Sequence, residues 1–452
     1  MKAFFSVMAV LTAGVALSAP AVSVSTVSQE SDNTVSIGYT LENAPAIVTF
    51  DVMTNAGAGV WASIGRKNLM RLSGDVDKVV SSGRGTVKWL CDHGEVEKMF
   101  ASGAIKFELK AWSLDNPPMY MAVDLISGVS DGYERLRFYE SEEMVPGGVV
   151  SNYEYRISTL LMRRCYAANV TWPMGASVLR DISNSFKRPA NEKLHMVTLE
   201  SDYYLGVFPV TSAQCALIQG NTHTGYYPID AAMRIRDLTY YMTGGTPVRG
   251  ANWPEAPPAT TVLGKLRAKL AGKIDFDLPG ESQWEFAAHA GHYGSFWGNG
   301  KAYLHSLTNT DHDANLPGRY RLNQATNWMP SYHSSYSTVA PSIGVTNAVP
   351  IAGSYESNSW GFYDMCGGVW EWCLDWYQED ITALNGRVNV NLEDPTKCAD
   401  GTSAGDFRVV RGGSWNSSAN ACRPEFRYSR SQNYAGDFAE SGFRVCAPVK
   451  IK

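Results

Sequence analysis

Hydrophobic and polar positions alternate along the early part of the chain. Val35, Ile37, Tyr39 and Leu41 are separated by polar or small residues, as are Val48, Phe50 and Val52. Ile105, Phe107, Leu109 and Ala111 interleave with Lys106, Glu108 and Lys110, and Met121, Val123 and Leu125 repeat the pattern. A period of two places one set of side chains on one face of a strand. With Asn, Gly and Asp clusters between the runs, it predicts a small antiparallel β-sandwich over residues 25–128, of immunoglobulin or fibronectin type. No catalytic constellation occurs in this stretch, which reads as a binding or spacer module.

Residues 129–165 read as a connector. "VPGGVVSNYEY" is a turn signal followed by polar residues, and "ISTLLMRRCYA" fits either an edge strand or a short helix. From residue 166 onward the patterning changes. "VTLESDYYLGVFPVTSAQCALIQG" predicts a strand and then a helix capped by Thr211 or Ser212, since a hydroxyl there can accept from an orphan N–H of the first turn. "TTVLGKLRAKLAGK" sets Leu263, Leu266 and Leu270 on one helical face. In "LPGESQWEFAAHAG", Pro279-Gly280 precede an acidic first turn, Trp284 and Ala288 share a face, and Gly291 is a stop. Beyond this helix Gly, Trp, Asn and Tyr dominate, and regular elements are expected to be short.

A length of 452 residues allows two or three domains with ample core. Only 18% of residues are charged while 12% are aromatic, which suits a loop-rich, extracellular, tryptophan-packed protein. The net charge is −5 with no long basic or acidic run, so nothing points to nucleic acid or to an anionic membrane. "MKAFFSVMAVLTAGVALSAPA" combines an early lysine, an apolar run and Ala19-Pro20-Ala21, the pattern of a signal peptide over residues 1–21. The mature chain is expected to start near Val22 and to be secreted or periplasmic. No later stretch is long and apolar enough to be a transmembrane segment. In an oxidising compartment some of the eight cysteines should pair, although spacing does not give the connectivity. No zinc-type C-x-x-C pair and no H-E-x-x-H occur.

The most unusual stretch is "GFYDMCGGVWEWCLDWY", residues 361–377. Glu371 stands between Trp370 and Trp372, just after Gly367-Gly368. A plain core strand would not carry a glycine pair and a carboxylate at its centre. An active site, a metal site and packing around a tight turn are all compatible with these residues.

Four segments in order resemble the sulfatase-modifying-factor family, the formylglycine-generating enzymes. They are "HMVTLESDYYLGVFPVTSAQ"; "LPGESQWEFAAHAG" with "FWGNG"; "GSYESNSWGFYDMCGGVWEWCLDWY"; and "RVVRGGSWNSSANACRPEFRYSRSQN" with "SGFRVCAP". The resemblance covers residues 166–452. It implies a C-type-lectin-like fold variant, low in regular structure and braced by aromatics, so the whole chain is expected to be α+β, with the β-sandwich first. It also implies a structural calcium at Asp364, Gly367, Val369 and Glu371. Carboxylates and turn carbonyls are the hard oxygens calcium takes, and a glycine pair lets successive carbonyls face inward. The competing reading is that Glu371 only satisfies buried donors. A second calcium site would begin near Asn315 and Leu316.

The family's chemistry uses two cysteines five residues apart to hold copper(I), a soft ion that favours thiolates. In "GGSWNSSANACRPEF" the second falls on Cys422 and the first on Ser417, a hard and largely protonated hydroxyl. Trp370 and Ser414 match residues lining the family's oxygen pocket, although both also suit ordinary packing and turn chemistry. Cys422 reads equally as a half-cystine, with Cys366, Cys373, Cys398 and Cys446 as candidate partners. The expectation is therefore an exported formylglycine-generating-enzyme-like protein that lacks the classical copper oxidase activity. It would act as a binding scaffold for a peptide, a glycan or another cell-surface ligand. The alternative is an active, copper-loaded oxidase that converts a cysteine of a sulfatase peptide to formylglycine.

Overall fold

The computed structural model describes residues 18–30, 33–69, 71–91, 96–126, 132–176, 190–220, 247–249, 256–293, 318, 351–379, 407–415, 417–431 and 441–452. The chain divides into two compact units, Met1–Leu114 and Asp115–Lys452.

The first unit contains two antiparallel sheets. One has the order β1 (Ala21–Gln29), β2 (Thr34–Glu42), β7 (Arg84–Leu90), β5 (Leu72–Gly74). The other has the order β4 (Trp61–Ser63), β3 (Ala46–Asn55), β6 (Lys78–Val80), with β8 (Ile105–Trp112) also paired to β3. Helix α1 (Val96–Ala101) leads into β8. The predicted alternation is what is buried: Val35, Ile37, Tyr39 and Leu41 of β2, and Val48, Phe50 and Val52 of β3. Burial of each such side chain contributes about 1.5–3 kcal/mol, which is why a period of two suffices to set the faces. Phe50 stacks on Phe107 of β8 with centroids 5.8 Å apart.

The division falls at Leu114 rather than at residue 128. The reason is β9 (Tyr120–Asp124), which carries Met121 and Val123 but pairs with β10 (Leu136–Tyr139) and β11 (Thr159–Cys165) of the second unit. The stretch read as a connector therefore holds β10, the short helix α2 (Glu154–Ile157) and β11. Within "ISTLLMRRC", Thr159–Cys165 is a strand, and not an edge one. The sheet order is β10-β9-β11-β14-β19, with β14 at Tyr203–Gly206 and β19 at Cys446–Pro448. A central strand is covered on both faces, which explains why Leu160, Leu161 and Met162 are all buried in succession.

The second unit also contains a two-stranded sheet, β12 (Val170–Met174) with β13 (His195–Leu199). A further four-stranded sheet has the order β17 (Tyr428–Ser431), β16 (Phe407–Arg411), β15 (Trp370–Trp376), β18 (Ser441–Gly442). Its helices follow the sequence signals. In α3 (Ser212–Ile218) the Thr211 hydroxyl accepts from Gln214 N at 3.3 Å and Gln214 Oε1 accepts from Thr211 N at 3.0 Å, a reciprocal cap. Helix α4 (Val262–Lys269) is capped by Thr261 and buries Leu263 and Leu266. Helix α5 (Glu281–His289) ends at Ala290 in the left-handed conformation. It packs against β12, β13, β15 and β16. Around it lie Trp172, Tyr293 and Trp360, with Trp172 and Tyr293 stacked at 5.6 Å and the helix's own Phe286 edge-on to Trp360 at 5.2 Å. The mixed architecture of few helices and many antiparallel strands, with a β-sandwich first, is the one expected. Among the described residues no helix is long and apolar enough to cross a membrane.

Candidate functional site

Two glycine turns face each other. Gly367 and Gly368 precede β15 with φ of 83° and 81°, and Gly412 and Gly413 follow β16 with φ of 89° and 73°. Gly367 N–H donates to Gly412 O at 2.6 Å, and Trp415 N–H donates to Gly368 O at 2.8 Å. Only glycine adopts such backbone without steric cost, and here the space is also needed. A Cβ on Gly413 would lie 2.6 Å from Cys422 Sγ and 2.9 Å from Ala421 O. Gly413→Ala is therefore expected to cost roughly 3 kcal/mol, from overpacking together with left-handed strain. Urea unfolding of the variant measures it, and a loss under about 1 kcal/mol would show that the turns separate easily.

Ser414, Ser417 and Cys422 come together beyond the second glycine turn. Ser417 Oγ accepts from Ser414 N at 2.9 Å and lies 3.0 Å from Ser414 Oγ, and Ser417 N–H donates to Ser414 O at 3.0 Å. The Ser417 hydroxyl thus closes a small turn. Cys422 is 2% exposed, with its Sγ 3.5 Å from Ser418 O and 4.0 Å from Ser414 O. Trp370 is held elsewhere, stacked on Tyr428 at 5.2 Å and tilted against Phe426 at 6.0 Å.

Cys366 is the residue that the sequence left among several options. Of the candidate partners for Cys422, Cys366 stands on the facing glycine turn and acts electrostatically on the Cys422 thiol. Cys446 instead neighbours Cys165. Cys373 lies among Asp375, Glu281 and Arg411, and Cys398 is outside the described residues. Cys165, Cys366, Cys373, Cys422 and Cys446 are all free thiols, so the expected disulfides do not form among these five. Burial pushes the Cys422 thiol well above the ordinary range, with Cys366 adding to it, and pushes Cys366 up to about 12. Low-dielectric surroundings disfavour thiolates, the form that binds copper(I). Ser417 and Cys422 do not make a two-thiolate site: one is a hydroxyl engaged in a turn, the other a single buried thiol.

The calcium residues behave differently from one another. Glu371 is fully buried and already matched. Its two oxygens accept from Arg444 at 2.8 and 3.0 Å, and Oε2 accepts from Trp284 Nε1 at 2.7 Å. Asp364, with φ 57° and 3% exposure, accepts from Gly353 N at 2.7 Å. Burial raises Asp364 to about 6; the Gly353 N–H and Arg444 act against this and Glu371 adds to it. Among the described residues no three His, Cys, Asp or Glu side chains converge, so an oxygen shell here depends on backbone carbonyls. Gly367 O already accepts from Val369 N at 3.1 Å, so a calcium held as the family resemblance implies would have to share that carbonyl and the paired oxygens of Glu371. Calcium present at a hundred times its dissociation constant would add about 2.7 kcal/mol of stability. Exhaustive chelation is thus expected to lower the melting temperature of the second unit, and an unchanged value would remove calcium from the account. Asn315 and Leu316 lie outside the described residues.

Beneath both turns runs a buried ionic layer that sequence reading missed. Glu285 Oε1 accepts from Gly175 N at 2.7 Å, and its Oε2 pairs with Arg411 Nη2. Arg427 holds Glu281 through two hydrogen bonds of 2.5 and 2.8 Å. In the sequence Glu281 looks like part of the acidic first turn of α5, with Glu285 one turn further on. The arginines lie more than a hundred residues further on, so no local signal joins them.

The fold, the facing glycine turns and the aromatic-carboxylate strand between them define a domain of the sulfatase-modifying class. The chain belongs to the family described as "Sulfatase-modifying factor enzyme 1-like domain", whose family model matches residues 162–448. It is 28% identical over 208 residues to the formylglycine-generating enzyme of Thermomonospora curvata, covering 44% of this chain and 55% of that protein. It is 26% identical over 251 residues to "Serine/threonine-protein kinase pkn1" of Chlamydia pneumoniae, covering 52% of this chain and 31% of that protein. The chain thus spans about a third to a half of the length of these relatives. Treponema denticola variable protein 1 superposes with a TM-score of 0.40 at 21% identity, covering 64% of this chain and 95% of that one.

Proposed function

We propose that this protein is an exported member of the family that has lost the two-thiolate copper chemistry and serves as a binding scaffold. One observation carries the reading. The position of the first copper thiolate is Ser417, and its hydroxyl is hydrogen-bonded to Ser414. A neutral hydroxyl committed to a turn does not replace a thiolate at copper(I). The scaffold would present aromatic side chains to a peptide, glycan or other cell-surface ligand. Turnover of a cysteine-bearing sulfatase peptide by the wild-type protein is the test, and absence of conversion is expected.

Export rests on the Ala19-Pro20-Ala21 site. N-terminal sequencing of protein recovered from outside the cytoplasm should begin near Val22, and an intact Met1 would refute it.

A second reading, active oxidation of a sulfatase cysteine to formylglycine, is favoured by Cys366. It precedes the glycine turn that hydrogen-bonds to Gly412 and acts electrostatically on Cys422, so it would supply the second thiol that Ser417 does not. Under this reading copper-dependent turnover requires both cysteines, so Cys366→Ala alone would abolish it.

A further inference from the structure

The N-terminal sandwich has a cavity of about 500 Å³ that its role as a spacer leaves unexplained. That size lies within the range of small-ligand sites. Its floor is apolar: Val52, Trp89, Val96 and Ile105 line it, and each is no more than 5% exposed. Lys67 and Arg71 also line it and are exposed, which puts two positive charges at its rim. The neighbouring Arg66 is different, being paired with Asp77 at 2.9 Å. Among the described residues no carboxylate is paired with Lys67 or Arg71.

Two details favour a ligand over a structural role. The Trp89 Nε1–H is buried and has no acceptor among the described residues. An unsatisfied donor is costly in a folded core, and an incoming oxygen would satisfy it. Arg71 also occupies the left-handed region, with φ 51°. Glycine or asparagine would sit there with less strain, so the backbone alone does not call for an arginine at this position.

We propose that this cavity binds a small amphiphilic carboxylate. The apolar tail lies on the Val52, Val96 and Ile105 floor. The head is drawn to Lys67 and Arg71, whose guanidinium fork suits a carboxylate. The indole N–H of Trp89 donates to one of the carboxylate oxygens.

The test is calorimetric titration of the full chain with decanoate, and with decan-1-ol as a neutral ligand of the same tail. Decanoate should bind one to one and at least tenfold more tightly than the alcohol at low ionic strength, with the gap narrowing as salt is added. Lys67→Met keeps the apolar stem without the charge. Arg71→Gly removes the charge and relieves the positive φ, so the double variant should keep its melting temperature. That variant should bind decanoate no more tightly than decan-1-ol. Absence of saturable binding, equal affinity of the wild type for both ligands, or unchanged decanoate affinity in the folded double variant would each overturn the proposal.

Discussion

Glu285→Gln is expected to destabilise the second unit by about 3–5 kcal/mol, the usual cost of removing one partner of a buried ion pair. Glu285 and Arg411 are both fully buried. Arg411 also donates to Pro424 O at 2.8 Å and Phe426 O at 3.0 Å, so it ties α5, β16 and the strand-to-turn segment after Cys422 together. Glutamine keeps the shape and the Gly175 contact but leaves the guanidinium with Glu281 alone, at 3.6 Å. The same residue sets a pH dependence. Burial by itself would raise the Glu285 carboxyl, but Arg411 and His289 outweigh it and hold it at about 2, below its ordinary 4.5. A carboxylate depressed in the folded state adds stability above its unfolded value and loses it as pH falls through its folded value. That contribution, about 3 kcal/mol for such a shift, is present above pH 4.5 and disappears toward pH 2. Urea unfolding from pH 6 to pH 2.5 should therefore show a steeper loss in the wild type than in Glu285→Gln. Parallel curves, or a loss under 1 kcal/mol in the variant at pH 7, would mean that the pair is not a stability element.

Much of this architecture was legible because local rules and tertiary packing agree. Ile37 and Phe50 sit on buried faces because a two-residue period admits only one register against a core. Thr211 and Gln214 form their cap because both partners are three residues apart in the chain. Where the deciding contact is distant, the pattern ran out. Met121 and Val123 alternate as cleanly as any sandwich strand, yet a period of two does not say which sheet a strand joins. Leu160 to Met162 are apolar in succession, and only the neighbours on both sides of β11 distinguish a central strand from a helix. At the site, Ser417 and Cys422 were singled out by the family resemblance, counted from the glycine pair. The pairing of the two glycine turns, which carries Cys366 toward Cys422, was not, because it joins segments about 45 residues apart through backbone hydrogen bonds that no side-chain pattern encodes. Glu371 was read as a calcium ligand on its place in the motif. Its partner Arg444 lies in the last ten residues of the chain, and with it the carboxylate reads first as one half of a buried ion pair.

The proposed loss of two-thiolate copper chemistry carries the largest expected effect on activity. Two thiolates would have to be supplied where burial disfavours ionisation of the Cys422 and Cys366 thiols and where Ser417 is a hydroxyl within a turn. Ser417→Cys is not the cleanest probe, since an inactive variant would leave the groove itself in question. The wild-type protein is. It would be incubated with copper(I), oxygen and a cysteine-bearing sulfatase peptide, and the peptide followed by mass spectrometry. The peptide is expected to keep its thiol. Robust conversion to formylglycine that disappears in Cys422→Ala would contradict it.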